Sequence, residues 1–260
     1  MKGSHFSSML RRSRSRSAGT RRARLEMLEP RRVLAATAVF DAETGVLTVE
    51  GDKNDDVIEV RYVNDEIIVT SDDDGAGGAD PIDITPDNLP DDLSEVVAIL
   101  VEGGKGNDEI TIEVDGLTIA AGQSLEVEAE GGKGEDTISV EVSQVVLEAA
   151  NEDLPGGSLS VEADGGKHDD SVDIAVTTLT VNDGAEAEFK VKGGPGDDDI
   201  SVAVSDLSSD GEVSVEIEGG PGDDTIDATA IDEGVSLEIE GGPGDDTIDA
   251  GENAECPRSV

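Results

Sequence analysis

The chain has 260 residues, of which 62 are acidic and 18 basic, giving a formal net charge of −44 that argues against nucleic acid as a partner for its acidic body. A single cysteine, Cys256, excludes an intrachain disulfide framework and a Cys-based zinc site, and no apolar run approaches the ~18 residues of a membrane span. Leu, Ile, Val and Phe total 64, just above the roughly 20% below which a highly charged chain stays disordered, and with no Trp, one Tyr and three Phe any core must be narrow and aliphatic.

Residues 1–38 read as a basic, largely disordered targeting leader. Positions 1–35 carry ten Lys/Arg and two Glu, so the remainder holds 60 acidic against 8 basic groups, a net of −52. The run RRSRSRS can bind phosphates by counterion release, but no aromatic residues interleave to stack bases, and a targeting tail is the stronger reading. Further along, RLEMLEPRRVLAA from Arg24 is similar to the LEPR-x-L-L segment at the start of many large planctomycete surface proteins, with Ala35 departing from the second leucine. The resemblance implies a secreted or cell-surface (extracellular) protein. An ordinary signal peptide needs an apolar core of roughly 7–15 residues, which only VLAATAVF approaches, with Ala36 and Ala38 as a small-residue cleavage site.

Residues 39–102 read as irregular N-terminal β rungs that shield one end of a solenoid. FDAETGVLTVEG from Phe40 predicts a hairpin, and DVIEV, EIIVT and VVAILVE predict the first rungs. Between them, the acidic Pro- and Gly-rich stretch 71–92 reads as a long surface loop. It resembles the start of an EF-hand, but Thr70 at the first ligand position and Pro81 at the twelfth break that pattern.

From residue 103 to 250 the chain repeats. A nine-residue unit, Gly-Gly-x-Gly-x-Asp-x-aliphatic-x, begins at Gly103, Gly131, Gly193, Gly219 and Gly241; a sixth begins at Gly165 with His168 in place of the third glycine, and a vestigial copy from Gly51 keeps only Asp56 and Ile58. Starting points lie 28, 34, 28, 26 and 22 residues apart, and IEGGPGDDTIDA occurs twice, from Ile217 and from Ile239, as recent duplication would leave it. Between the units, LEVEAE, ISVEV, LSVEA, VSVEIE and VSLEIE alternate apolar and polar residues, the period of a strand with one buried face. Strand, glycine turn, strand and looser turn recur in the manner of one coil of a parallel solenoid. Residues 145–157 read as a second insertion, and His168 is expected to strain its corner or shift the turn. The tail, 251–260, reads as disordered, with no evident cap after Ala250, so the last rung is either exposed or continued by a partner. The fold class expected is all-β: a parallel β-helix or β-roll.

Stacked coils bring equivalent aspartates to about 4.8 Å of one another. At that spacing two carboxylates repel by roughly 1 kcal/mol in bulk water and about 3.5 kcal/mol at an effective dielectric constant of about 20. A divalent cation between turns reverses the sign. Carboxylates with backbone carbonyls at flexible distance suit calcium, whereas magnesium demands stricter octahedral geometry, and oxygen-only sites disfavour zinc and copper. The bland alternative is a solvated acidic face.

The unit resembles the calcium-binding nonapeptide of the repeats-in-toxin (RTX, hemolysin-type) family. That resemblance implies a right-handed parallel β-roll or β-helix with Ca2+ between successive turns. By it, Asp108, Asp136, Asp170, Asp198, Asp224 and Asp246 are side-chain ligands. Carbonyl oxygens assist from Gly103, Lys105 and Gly106, from Gly131, Lys133 and Gly134, from Gly193, Pro195 and Gly196, from Gly219, Pro221 and Gly222, and from Gly241, Pro243 and Gly244. Family units usually follow in direct tandem; here one unit per coil implies one row of turns on one edge, with at most five sites between six turns, and His168 puts in question the two beside it. With two histidines, His5 and His168, and every acidic pair repeated, no catalytic constellation emerges. The expectation is a non-catalytic structural or adhesive protein meeting cell-envelope or matrix components, folding as it binds calcium; the alternative is an appendage of a larger secreted enzyme or toxin.

Overall fold

A computed structural model describes residues 36–63, 66–73, 82–90 and 96–251. The leader motif, Cys256 and the tail beyond Gly251 lie outside the described residues, as do 74–81 and 91–92 of the acidic stretch; the stretch is not all surface loop, since 71–73 and 82–83 are strand and Ser71 is buried. Every described residue belongs to one compact unit, and all regular structure in it is β. No helix among the described residues is long and apolar enough to cross a membrane.

The chain begins with a hairpin, β1 (Thr37–Asp41) against β2 (Val46–Glu50), pairing Phe40 with Leu47. The ordered strand starts before the expected leader boundary at 38, with Ala36 only 2% exposed in the core. Then β3 (Asp56–Val63) folds antiparallel on β4 (Glu66–Asp73), which carries the two-residue β5 (Ile82–Asp83). From there every pairing is parallel. The first full coil is β6 (Ala98–Lys105), β7 (Glu109–Asp115) and β8 (Thr118–Ile119), and the second β9 (Ser124–Lys133), β10 (Thr137–Ser143) and β11 (Val146–Leu147). The third is β12 (Ser158–Asp164), β13 (Ser171–Thr177) and β14 (Thr180–Val181), and the fourth β15 (Glu186–Lys192), β16 (Asp199–Ser205) and β17 (Ser208–Ser209). Two shorter coils, β18 (Glu212–Glu218) with β19 (Thr225–Asp227) and β20 (Ser236–Glu240) with β21 (Thr247–Asp249), complete the stack.

Stacking these coils generates three sheets of eight, nine and four strands, a three-sided parallel β-helix rather than a two-sided roll. Alternation fixes the register: Leu125, Val127 and Ala129 of β9 point inward, opposite Leu159, Val161 and Ala163 of β12, and all six are at most 3% exposed. A one-residue slip would turn each such set to solvent. At the N-terminal end, the antiparallel strands β1 and β4–β5 close the open edges of the two large sheets, as expected for an atypical terminal rung. At the other end the core thins, leaving Ile248 40% exposed.

The expected insertion over 145–157 is shorter in the structure. Val145 and Leu147 are fully buried, Val146–Leu147 forms β11, and Gly156 and Gly157 are buried again, so only 148–155 loops outward, where the Asn151 carboxamide oxygen accepts from the N–H groups of Asp153 and Leu154. The third side of the helix escaped notice because two-residue strands are too short to show a period. Each coil turns into that side through a left-handed residue: Gly116, Gln144, Thr178 and Asp206 have φ of 78°, 54°, 56° and 55°.

Candidate functional site

The glycine turns join the eight-stranded sheet to the nine-stranded one, and all lie over one another along a single edge. In each, the first glycine is required by packing rather than by φ. A Cβ on Gly193 would stand 2.5 Å from Oδ2 of Asp198 and 2.6 Å from the carbonyl oxygen of Gly219 in the next turn. Several of the expected carbonyl groups are engaged in turn-to-turn bonds: Gly193, Gly219 and Gly241 oxygens accept from the second glycine of the preceding turn, and Lys133, Pro195, Pro221 and Pro243 oxygens accept from the preceding fourth-position N–H. Each retains a second lone pair for a cation. His168 keeps its turn in place at the cost of a left-handed backbone, φ 88°, while its N–H makes the regular bond to Pro195 O at 2.9 Å. The turn is therefore strained, not shifted.

The sixth-position aspartates form a file inside the wall. Asp108, Asp136, Asp170, Asp198 and Asp224 are each at most 3% exposed. The backbone N–H of Asp108 donates to Oδ1 of Asp136 at 2.7 Å, that of Asp136 to Asp170 at 2.8 Å, and that of Asp170 to Asp198 at 2.8 Å. The ladder continues from Asp198 to Asp224 at 2.9 Å and from Asp224 to the half-buried Asp246 at 3.1 Å. The strain at His168 does not interrupt it. In all five buried carboxylates Oδ2 accepts no hydrogen bond. A buried acceptor left without a partner is costly, and a buried charge more so.

Electrostatics records that cost. Burial pushes the carboxyls of Asp108 and Asp198 up to about 6 and that of Asp170 up to about 7, against the downward pull of the ladder bond. Asp136 and Asp224 are raised by burial in the same way. Neighbouring carboxylates of the file add to the rise at Asp108, Asp170, Asp198 and Asp224.

Two features escaped the sequence reading. The vestigial turn contributes Asp56, 1% exposed, whose N–H donates to Oδ1 of Asp108 at 2.7 Å and so starts the file one coil earlier. An exposed second ladder runs through the fifth positions in the opposite sense: Asp197 N–H donates to Asp169 at 3.0 Å, Asp223 to Asp197 at 2.9 Å, and Asp245 to Asp223 at 2.8 Å. Its signal was present in the sequence, since every turn carries Asp, Asn or Glu at that place.

Among the described residues no three His, Cys, Asp or Glu side chains gather as a side-chain-only metal site requires. The donor set fits a hard cation in another way, as a buried carboxylate oxygen without a partner in five successive turns, within a backbone dense in carbonyl groups. Calcium accepts such mixed, flexible oxygen ligands more readily than magnesium does. No family model, no curated protein and no solved structure matches the chain.

Proposed function

We propose that the chain is a calcium-binding β-solenoid, secreted or held at the cell surface, with a structural or adhesive role and no catalytic one. The observation that carries this reading is the file of five buried aspartates, each with an unpartnered Oδ2. Repeating such a group in five successive coils is expensive unless a cation offsets the charge. Asp108, Asp136, Asp170, Asp198 and Asp224 would supply the side-chain ligands, Asp246 closes the file, and carbonyl groups of the glycine turns complete the shell. The bound ion supplies positive charge where the fold concentrates negative charge. An ion held only by the folded turns then stabilises the acidic body in proportion to its binding. The LEPR-type leader supports export, and extracellular calcium suits weak sites with dissociation constants on the order of 10⁻⁴–10⁻³ M.

Calorimetric titration of the full chain with calcium and with magnesium, coupled to far-ultraviolet circular dichroism, tests the reading. Calcium is expected to bind, and to raise the β signal or its thermal midpoint, where equimolar magnesium does not. Full, equally stable β structure in excess EDTA with no calcium heat would refute it.

A further inference from the structure

The third residue divides the turns into two kinds. Lys105, Lys133 and Lys167 occupy it in the N-terminal turns, and Pro195, Pro221 and Pro243 in the C-terminal ones. A lysine there keeps its N–H: that of Lys167 donates to the carbonyl oxygen of Gly132, the second glycine of the preceding turn, at 3.1 Å. Lys133 sits in the same continuous ladder, with Gly104 paired to Gly132 and Lys105 to Lys133. Proline has no N–H to give. Pro195, Pro221 and Pro243 stand where donors to Gly166, Gly194 and Gly220 would be, and among the described residues those three carbonyl oxygens accept no backbone hydrogen bond. The three glycines line one groove of about 320 Å³, open to solvent, together with Asp164, Glu218 and Lys192.

Three of the four turns that bound these gaps also carry the second requirement of a cation site. Asp170, Asp198 and Asp224 are at least nine-tenths buried and present an Oδ2 without a partner. A gap headed by proline therefore offers a second-glycine carbonyl oxygen with both lone pairs free beside a carboxylate, whereas in the gap headed by Lys167 that oxygen is already engaged by the lysine N–H.

We infer that proline at the third position selects which gaps hold calcium, so that the ions are confined to the three C-terminal gaps, headed by Pro195, Pro221 and Pro243. The N-terminal turns close on their own backbone bonds and stand as the metal-independent part of the stack. The proposal rests on the calcium reading above and narrows it from five gaps to three.

Pro195→Ala, Pro221→Ala and Pro243→Ala, singly and together, restore the N–H without adding charge, and each returns a ladder bond, so folding is not put at risk. Calcium equivalents and affinity are measured by calorimetry on the full chain, with amide hydrogen exchange at the new alanine in the metal-free protein as a second readout. Each substitution is expected to remove one equivalent or weaken one site at least tenfold, and the new N–H is expected to be protected. If the triple variant binds as many ions as tightly as the parent does, the role of proline is overturned while the calcium reading stands. If the parent binds none, both fall.

Discussion

The backbone N–H of Asp170 donates to Oδ1 of Asp198, 28 residues further along the chain, at 2.8 Å, while Oδ2 of the same Asp198 carboxylate meets no donor. One oxygen of each carboxylate thus serves the stack and the other does not. A solenoid that needed only the first would be better served by asparagine, which keeps the acceptor and carries no charge.

Asp198→Asn separates the two roles. It retains the ladder bond through the amide oxygen and replaces the unpartnered, charged Oδ2 with a neutral amide nitrogen. Removing a carboxylate whose pKa stands at about 6 should stabilise the metal-free protein by up to ~3 kcal/mol above neutral pH, and should shrink the stabilisation that calcium gives. Urea unfolding in EDTA and in calcium checks both signs. An asparagine variant less stable than the parent in EDTA, with its calcium response intact, would make the carboxylates structural only.

The pH dependence follows from the same groups. Folding raises Asp108 and Asp198 to about 6 and Asp170 to about 7, so the folded state binds more protons than the unfolded chain between roughly pH 4 and pH 7. Metal-free stability is therefore expected to fall as pH rises through that window and to level off above it. General repulsion within the acidic body has the same sign. For that reason the slope is compared with that of the Asp170→Asn, Asp198→Asn double variant, which is expected to be shallower. Equal slopes would locate the effect elsewhere.

Glycine at the first position of the turn is a matter of space. Gly193→Ala puts a methyl group 2.5 Å from Asp198 Oδ2 and 2.6 Å from Gly219 O, and is expected to destabilise the stack by about 1–3 kcal/mol and to impair calcium binding. Gly116→Ala is the control: nothing lies within 4 Å of its Cβ, and only its φ of 78° resists, for about 1 kcal/mol with calcium binding unchanged. Thermal unfolding with and without calcium distinguishes the two.

His168→Gly replaces the one non-glycine fourth position in the repeated turns. Its φ of 88° is strained for histidine and free for glycine, so the variant is expected to be about 1 kcal/mol more stable in EDTA. Because the ladder already passes through Asp170, the calcium count should not change. A less stable variant would mean that the imidazole makes a contribution that outweighs the strain.

The row of glycine turns, the parallel coils and the inward aliphatic columns were legible because each repeats: Gly-Gly-x-Gly-x-Asp recurs once per coil, and Val, Leu and Ile alternate around it. The third side of the helix was not legible, since Val146–Leu147 and its counterparts are two residues long and carry no period. Nor was the burial of the aspartates. Alternation marks apolar residues as inward and acidic ones as outward, whereas Asp136 lies 1% exposed because a backbone N–H draws its carboxylate into the wall. Asp56 is visible in the sequence as the part of the pattern that the degenerate turn from Gly51 keeps, but its membership of the file shows only in the structure, because too little of the turn remains around it.

The most direct test is the position of the ions in crystals grown with calcium, located by anomalous diffraction. The account expects peaks between stacked turns beside Oδ2 of Asp170, Asp198 and Asp224, where those oxygens accept no hydrogen bond. Peaks confined to the exposed carboxylates of Asp197, Asp223 and Asp245, or none along this edge, would contradict it.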